Sequence, residues 1–159
     1  MPYFLRTLNN KNLFIKEHSL EWVADGDIQA DALKALSTQE NTLSVWRLKD
    51  DKENLNRLLS AIAIGRQSLT KIDYALIDVD EIVEQGFDIV ENAGKVPDDE
   101  MNTLHWDIIN ISALSLVKLA LAIEGHATLH RMSVPHVRSI INESISAGHI
   151  QESDVKFKL

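Results

Sequence analysis

The run from Thr42 to Leu48 (TLSVWRL) constrains the fold most, because both of its alternating sets of positions are apolar. Leu43 and Val45 belong to one set, and Trp46 and Leu48 belong to the other. A strand with apolar side chains on both sides is typical of a sheet that is covered on both faces. We therefore expect a sheet with helices packed against it.

The clearest helical pattern follows directly after this run. Apolar residues recur at helical spacing from Leu55 to Ile62, and Gly65 stands where a helix commonly ends. Asp50 and Glu53 have the spacing of a capping box at the helix start. The sequence predicts an amphipathic helix over 51–64.

The remaining patterns complete an α+β fold. Strands are predicted at 72–78 and 87–90, with a further one at 3–8. Pro97 opens a predicted long helix over 98–123, in which Met101, Leu104 and Ile108 recur at helical spacing. We expect a small mixed sheet packed against this helix and the amphipathic helix 51–64. The whole forms a single compact domain, with a soft boundary near 92–97 between a mixed α/β part and a more helical part.

Composition excludes several classes of protein. The chain has 159 residues and no cysteine, which excludes disulfide scaffolds, zinc ribbons and thiol nucleophiles. Its most apolar stretch, 108–123, is too short for a bilayer span and contains Lys118. The first residues lack the basic and apolar regions of a secretory signal. We expect a cytoplasmic protein without a membrane partner.

The charge is concentrated in one segment. The chain has a formal net charge of −8, and the segment 73–107 holds eleven acidic residues against Lys95 alone. Phosphate contacts need cations, so this segment disfavours a nucleic-acid partner. A basic protein partner fits the charge better.

These patterns favour a non-enzymatic interaction or regulatory module, with the electrostatic character of immunity or antitoxin-like inhibitors and adaptors. Its acidic surface would lie within 73–107 and would accelerate association with a basic protein. Trp106 is the candidate apolar anchor of this surface. The candidate partner-binding residues are Glu81, Glu84, Asp98, Asp99, Glu100, Trp106 and Asp107.

A DNA-binding regulator is one alternative. Residues 127–146 partly match the apolar and polar spacing of a helix-turn-helix, and Ser133 is a candidate cap for its second helix. Arg131 occupies the position where the turn glycine is expected. The local charge is too small for a strong grip on phosphates.

A metal-dependent hydrolase is the other alternative. Asp78 and Asp80 follow a predicted strand, where Mg²⁺ sites often lie, although the same spacing suits helix capping. His126 and His130 have zinc-binding spacing on a helix, but the alternation around Leu129 favours a strand, which would separate them. The sequence leaves open whether these two histidines cluster with His136 and His149. No catalytic serine motif is present, and we predict no cofactor, metal site or catalytic residue.

Overall fold

The computed structural model describes residues 2–15, 23–24, 26–36, 38–49 and 52–159. Within these residues the chain forms strands and helices in an alternating order. The strands are β1 (Tyr3–Leu8), β2 (Leu43–Leu48), β3 (Ile72–Asp78), β4 (Asp88–Glu91), β5 (His105–Ile109) and β6 (Thr128–Met132). The α-helices are α1 (Ala30–Leu36), α2 (Lys52–Ile64), α3 (Val79–Glu84), α4 (Asp99–Asn102), α5 (Ala113–His126) and α6 (Val134–Ser146).

The described strands form a single sheet in the order β4-β5-β2-β1-β3-β6. The α+β class and the single compact domain are therefore confirmed. The sheet is antiparallel at every strand pair of the described chain, however, and not mixed as the sequence predicts. The apolar patterns locate strands but do not encode their direction, since either direction can bury the same side chains.

Helices cover both faces of the sheet, and two hydrophobic cores result. One core joins residues of α1, α3 and α5 to one face of the sheet. The other core joins residues of α2 and α6 to the opposite face. Strand β2 contributes Leu43 and Val45 to the first core and Leu48 to the second, so its prediction as a doubly covered strand is confirmed.

The amphipathic helix 51–64 is also confirmed, as α2. Its apolar residues Leu58 and Leu59 are fully buried. The predicted cap at Asp50 lies outside the described residues. The helix predicted after Ser133 is α6, which has Ser133 at its N-cap position.

The long helix predicted over 98–123 is wrong. The short helix α4 ends at Asn102, β5 follows, and α5 begins at Ala113. Met101 belongs to the core on one face of the sheet, and Ile108 belongs to the core on the other. The helical spacing of these apolar residues is a coincidence between elements that pack on opposite faces.

Candidate functional site

Three acidic residues of the segment 73–107 are buried. Asp73 on β3 accepts hydrogen bonds from Arg131 Nε (2.7 Å) and Nη2 (2.8 Å) and from the backbone N–H of Lys11 (2.9 Å). Burial raises the pKa of Asp73, but the hydrogen bonds and the charge of Arg131 outweigh it, so that the pKa lies below its ordinary value. Asp73 is therefore part of an internal ion pair.

Asp98 is the second buried acid, with 2% of its surface exposed. Its carboxylate caps α4 by accepting from the backbone N–H groups of Glu100 and Met101. Arg57 of α2 donates to it through Nε (2.7 Å) and Nη2 (3.0 Å) and also contacts Glu100 (2.6 Å). Its hydrogen bond to Asp98 raises the pKa of Arg57. Two of the predicted partner-binding residues, Asp98 and Glu100, thus already bind an arginine of this chain.

Asp107 on β5 is the third buried acid, with 7% of its surface exposed. It accepts hydrogen bonds from Ser44 Oγ (3.1 Å) and Asn92 Nδ2 (2.5 Å), and His105 Nε2 lies 3.9 Å from it. Burial withholds Asp98 and Asp107 from a partner that docks on the surface. Asp98 and Asp107 are therefore not part of the surface that we propose for a partner.

The acids around α3 have structural contacts. Asp78 caps α3, where its carboxylate accepts from the backbone N–H of Asp80 (2.9 Å). Glu81 accepts from Gln85 Nε2 (2.9 Å) and lies 3.5 Å from His126 Nε2. Among the described residues, no group of three or more histidine, aspartate or glutamate side chains has the arrangement of a metal site. The spacing of Asp78 and Asp80 is that of a helix cap.

His126 and His130, whose clustering with His136 and His149 the sequence leaves open, lie on different elements. His126 is the last residue of α5, whereas His130 lies on β6 and stacks on Tyr74 with ring centroids 5.0 Å apart. Residues 128–132 form a strand, which confirms the alternation around Leu129. The same strand stands where a helix-turn-helix needs its first helix, so residues 127–146 do not form that motif.

Three of the exposed acids lie along one edge of the sheet. β4 is the edge strand, and Asp88 and Glu91 at its two ends are exposed. Exposed Asp99 of α4 lines a cavity of about 480 Å³ together with Glu91. We call Asp88, Glu91 and Asp99 the acidic edge. Glu84 is also exposed, at the end of α3 just before β4.

Trp106 lies beside the acidic edge. It is the register partner of Glu91 across the β4–β5 pair, and it is half-buried. Both residues line a cavity of about 770 Å³. The guanidinium carbon of Arg47 lies 5.2 Å from the Trp106 ring centroid, within the range of a cation–π contact. The indole face that would anchor a partner is thus already in contact with a cation of this chain.

A second group of residues escapes the sequence patterns. Arg6, Ser44, Trp46, His105 and Asp107 line a cavity of about 500 Å³. The pairing of β2 with β5 places Ser44 opposite Asp107 and Trp46 opposite His105, on one face of the sheet. The alternation of polar residues at 44, 105 and 107 is the sequence signal that marks this face.

Comparisons with models of protein families, with curated proteins and with solved structures give no match. Among the described helices, none is both long and apolar enough to cross a membrane. The fold, its two cores and the arrangement of charge are therefore the basis for any assignment of function.

Proposed function

We propose that this protein is a non-enzymatic interaction module whose acidic edge binds a basic, extended segment of a partner protein. The observation that carries the proposal is the position of β4. It pairs with β5 on one side, no described strand pairs with its other side, and Asp88, Val90 and Glu91 are exposed along it. Backbone groups of such an edge can pair with an added strand.

Charge selects the kind of strand that can be added. A second copy of β4 would bring Asp88 and Glu91 against the same two carboxylates, and like charges opposite one another destabilise strand pairing. A strand that carries lysine or arginine at those positions gains attraction instead. The acidic edge therefore disfavours self-association and favours a basic partner.

The rest of the molecule adds to this attraction. The chain has a net charge of −8, so its long-range field is negative. Asp73 and Asp98 are paired with Arg131 and Arg57, and their local fields are largely cancelled. Exposed carboxylates at Asp88, Glu91 and Asp99 carry the field at the edge, where it accelerates the encounter with a cationic segment.

A kinetic experiment tests this proposal. The probe is an extended peptide of lysine and valine in which two lysines stand three residues apart, as Asp88 and Glu91 do, and the variant is Asp88→Asn with Glu91→Gln. The control is Asp31→Asn with Glu143→Gln, which removes the same charge from exposed positions outside 73–107. We expect the edge variant to slow association by about tenfold at low salt, and the control to slow it much less.

A second peptide separates strand addition from simple charge attraction. N-methylation of alternate backbone nitrogens removes donors from the peptide without changing its charge. Strand addition predicts that the methylated peptide dissociates much faster than the parent peptide. Equal association rates for the edge and control variants, or equal dissociation of both peptides, would overturn the proposal.

A further inference from the structure

The 500 Å³ cavity next to Arg6 shares Asn92, Ala93 and His105 with the cavity that Glu91 and Asp99 line, but its chemistry is different. Its wall comes from β1, β2, β5 and the segments 39–42 and 92–96. A volume of this size is typical of small-molecule sites, which range over about 300–1,000 Å³. The chemistry of the wall therefore indicates what the cavity could bind.

Two buried donors in this wall have no acceptor. Arg6 donates through Nη1 to the carbonyl oxygen of Ser44 (2.9 Å) and through Nη2 to that of Leu36. Arg6 Nε and Trp46 Nε1, however, are buried without any hydrogen-bond partner among the described residues. A buried unsatisfied donor is unfavourable, and native proteins rarely keep one without a role.

The two buried charges of the wall differ in their pairing. Asp107 accepts from Ser44 and Asn92, so its negative charge is compensated by hydrogen bonds. Arg6 has no carboxylate within 4 Å in the described chain. Burial lowers the pKa of Arg6 to about 10, which leaves it charged at neutral pH. The charge without an oppositely charged partner in this wall is therefore the positive charge of Arg6.

His105 adds an acceptor to the same wall. Its Nδ1 lies 2.8 Å from the carbonyl oxygen of Asn92, which can only accept, so that Nδ1 carries a proton. In the neutral ring Nε2 is then an acceptor, and it faces Asp107 at 3.9 Å. Trp46 and His105 are register partners whose ring centroids lie 4.8 Å apart, so donor and acceptor groups stand side by side in this wall.

The backbone at the mouth of the cavity is strained. Glu40 and Asn41 form a tight turn with φ of 51° and 61°, and hydrogen bonds between Gln39 and Thr42 close the turn. The left-handed conformation is unfavourable for a non-glycine residue. Such strain tends to cluster at functional sites, and here it shapes one wall of the cavity.

The segment 92–96, which forms another wall, packs closely against its neighbours at Gly94. A Cβ on Gly94 would lie 2.7 Å from Asn102 Oδ1 and 3.1 Å from His105 Cβ, so glycine is needed for the segment to pack here. The Asn102 side chain donates to the carbonyl oxygen of Val96 (2.9 Å) and accepts from its N–H (2.8 Å). Both walls are thus held in place by the fold itself.

We infer that this cavity binds a small molecule that carries a carboxylate or a phosphate. The oxyanion pairs with Arg6 and accepts a hydrogen bond from Trp46 Nε1, and donor groups of the same molecule face Asp107 and His105. Both orphan N–H groups are covered by protein atoms, so binding involves a small shift of the Arg6 and Trp46 side chains.

The indole signals in a ¹H–¹⁵N spectrum of the full chain test this inference directly. Trp46→Phe removes the donor, keeps an aromatic ring and identifies the Trp46 signal by its loss. The probes are succinate for a carboxylate and inorganic phosphate for a phosphate, with sodium chloride at equal ionic strength as the reference. We expect one of the probes to shift the Trp46 signal at about 10 mM, the range of a weak fragment.

Matched variants decide the outcome. Because Trp46→Phe lacks the indole signal, binding to both variants is followed by the backbone amide signals of Ser44 and His105. Trp46→Phe should weaken binding of that probe about tenfold, whereas Trp106→Phe, in a different cavity, should leave it unchanged. A response to succinate alone identifies a carboxylate ligand, and a response to phosphate alone identifies a phosphorylated one. The inference is overturned if neither probe shifts the Trp46 signal more than sodium chloride does, or if both variants weaken binding equally. Neither result bears on peptide binding at the acidic edge.

Discussion

The two ends of the sheet satisfy their polar groups in opposite ways. At the β3–β6 end, Asp73 and Arg131 are register partners that form a bidentate ion pair, and Tyr74 stacks on His130. Toward the other end, Arg6 Nε on β1 and Trp46 Nε1 on β2 have no acceptor in the described chain, and three cavities open along β2, β5 and β4. We call these the saturated end and the unsaturated end of the sheet. Polar groups whose hydrogen bonds are satisfied stabilise the fold, whereas unsatisfied groups remain available to ligands.

The largest expected effect on stability comes from the saturated end. Asp73→Ala removes a buried carboxylate that binds both Arg131 and the Lys11 N–H. Arg131 is exposed and can be hydrated, so we expect a loss of about 1–3 kcal/mol, which comes mainly from the buried hydrogen bonds of Asp73. Urea unfolding measures it, with the exposed Asp88→Ala as control. A loss no larger than that of the control would remove the distinction between the two ends.

A smaller effect is expected at the unsaturated end. Arg6→Met removes a buried charge that has no carboxylate partner, together with its two hydrogen bonds to backbone carbonyls. The lost bonds and the relieved desolvation oppose each other, so we expect unfolding free energy within about 1 kcal/mol of the original protein. The same urea experiment measures it. A loss above about 3 kcal/mol would show that Arg6 is a structural residue like Asp73.

The smallest effect is a pH dependence at the saturated end. Burial and the nearby charge of Lys11 lower the pKa of His130 below its ordinary value of 6.5. Because the unfolded chain then binds this proton more readily, the contribution of His130 is complete above pH 6.5 and declines as the pH falls toward the folded pKa. His130→Gln should reduce the slope of stability against pH in that window.

His136→Gln is the matched control for that slope, since His136 is an exposed histidine on α6. Thermal unfolding between pH 5 and pH 7 gives both slopes. If His130→Gln leaves the slope as it is, or if His136→Gln reduces it equally, the burial of His130 does not govern this part of the pH profile.

Local sequence patterns predicted the elements in which apolar residues follow one regular arrangement. β2 is apolar on both alternating sets of positions, α2 has a period of 3.6 residues, and the structure confirms both. β5 was missed because Ile108 stands at helical spacing from Met101 and Leu104, and this longer pattern outweighed the alternation of polar His105 and Asp107 with apolar residues. A coincidental helical spacing can therefore hide a short strand.

The candidate site was predictable only in part. The sequence located the acidic segment, but long-range pairing with Arg57 and Arg131 decides which acids remain exposed, and spacing along the chain does not contain that information. The Arg6 cavity brings together β1, β2 and β5, which are far apart in sequence. A charged residue such as Arg6 within an apolar strand was the signal available for it.

Amide hydrogen exchange with the lysine–valine peptide tests the proposed function most directly. The account predicts that saturating peptide slows exchange of amides on the free side of β4, from Asp88 to Glu91, by at least about tenfold, because strand addition gives them acceptors. Unchanged exchange in β4, or protection concentrated in β6 at the opposite edge, would contradict it.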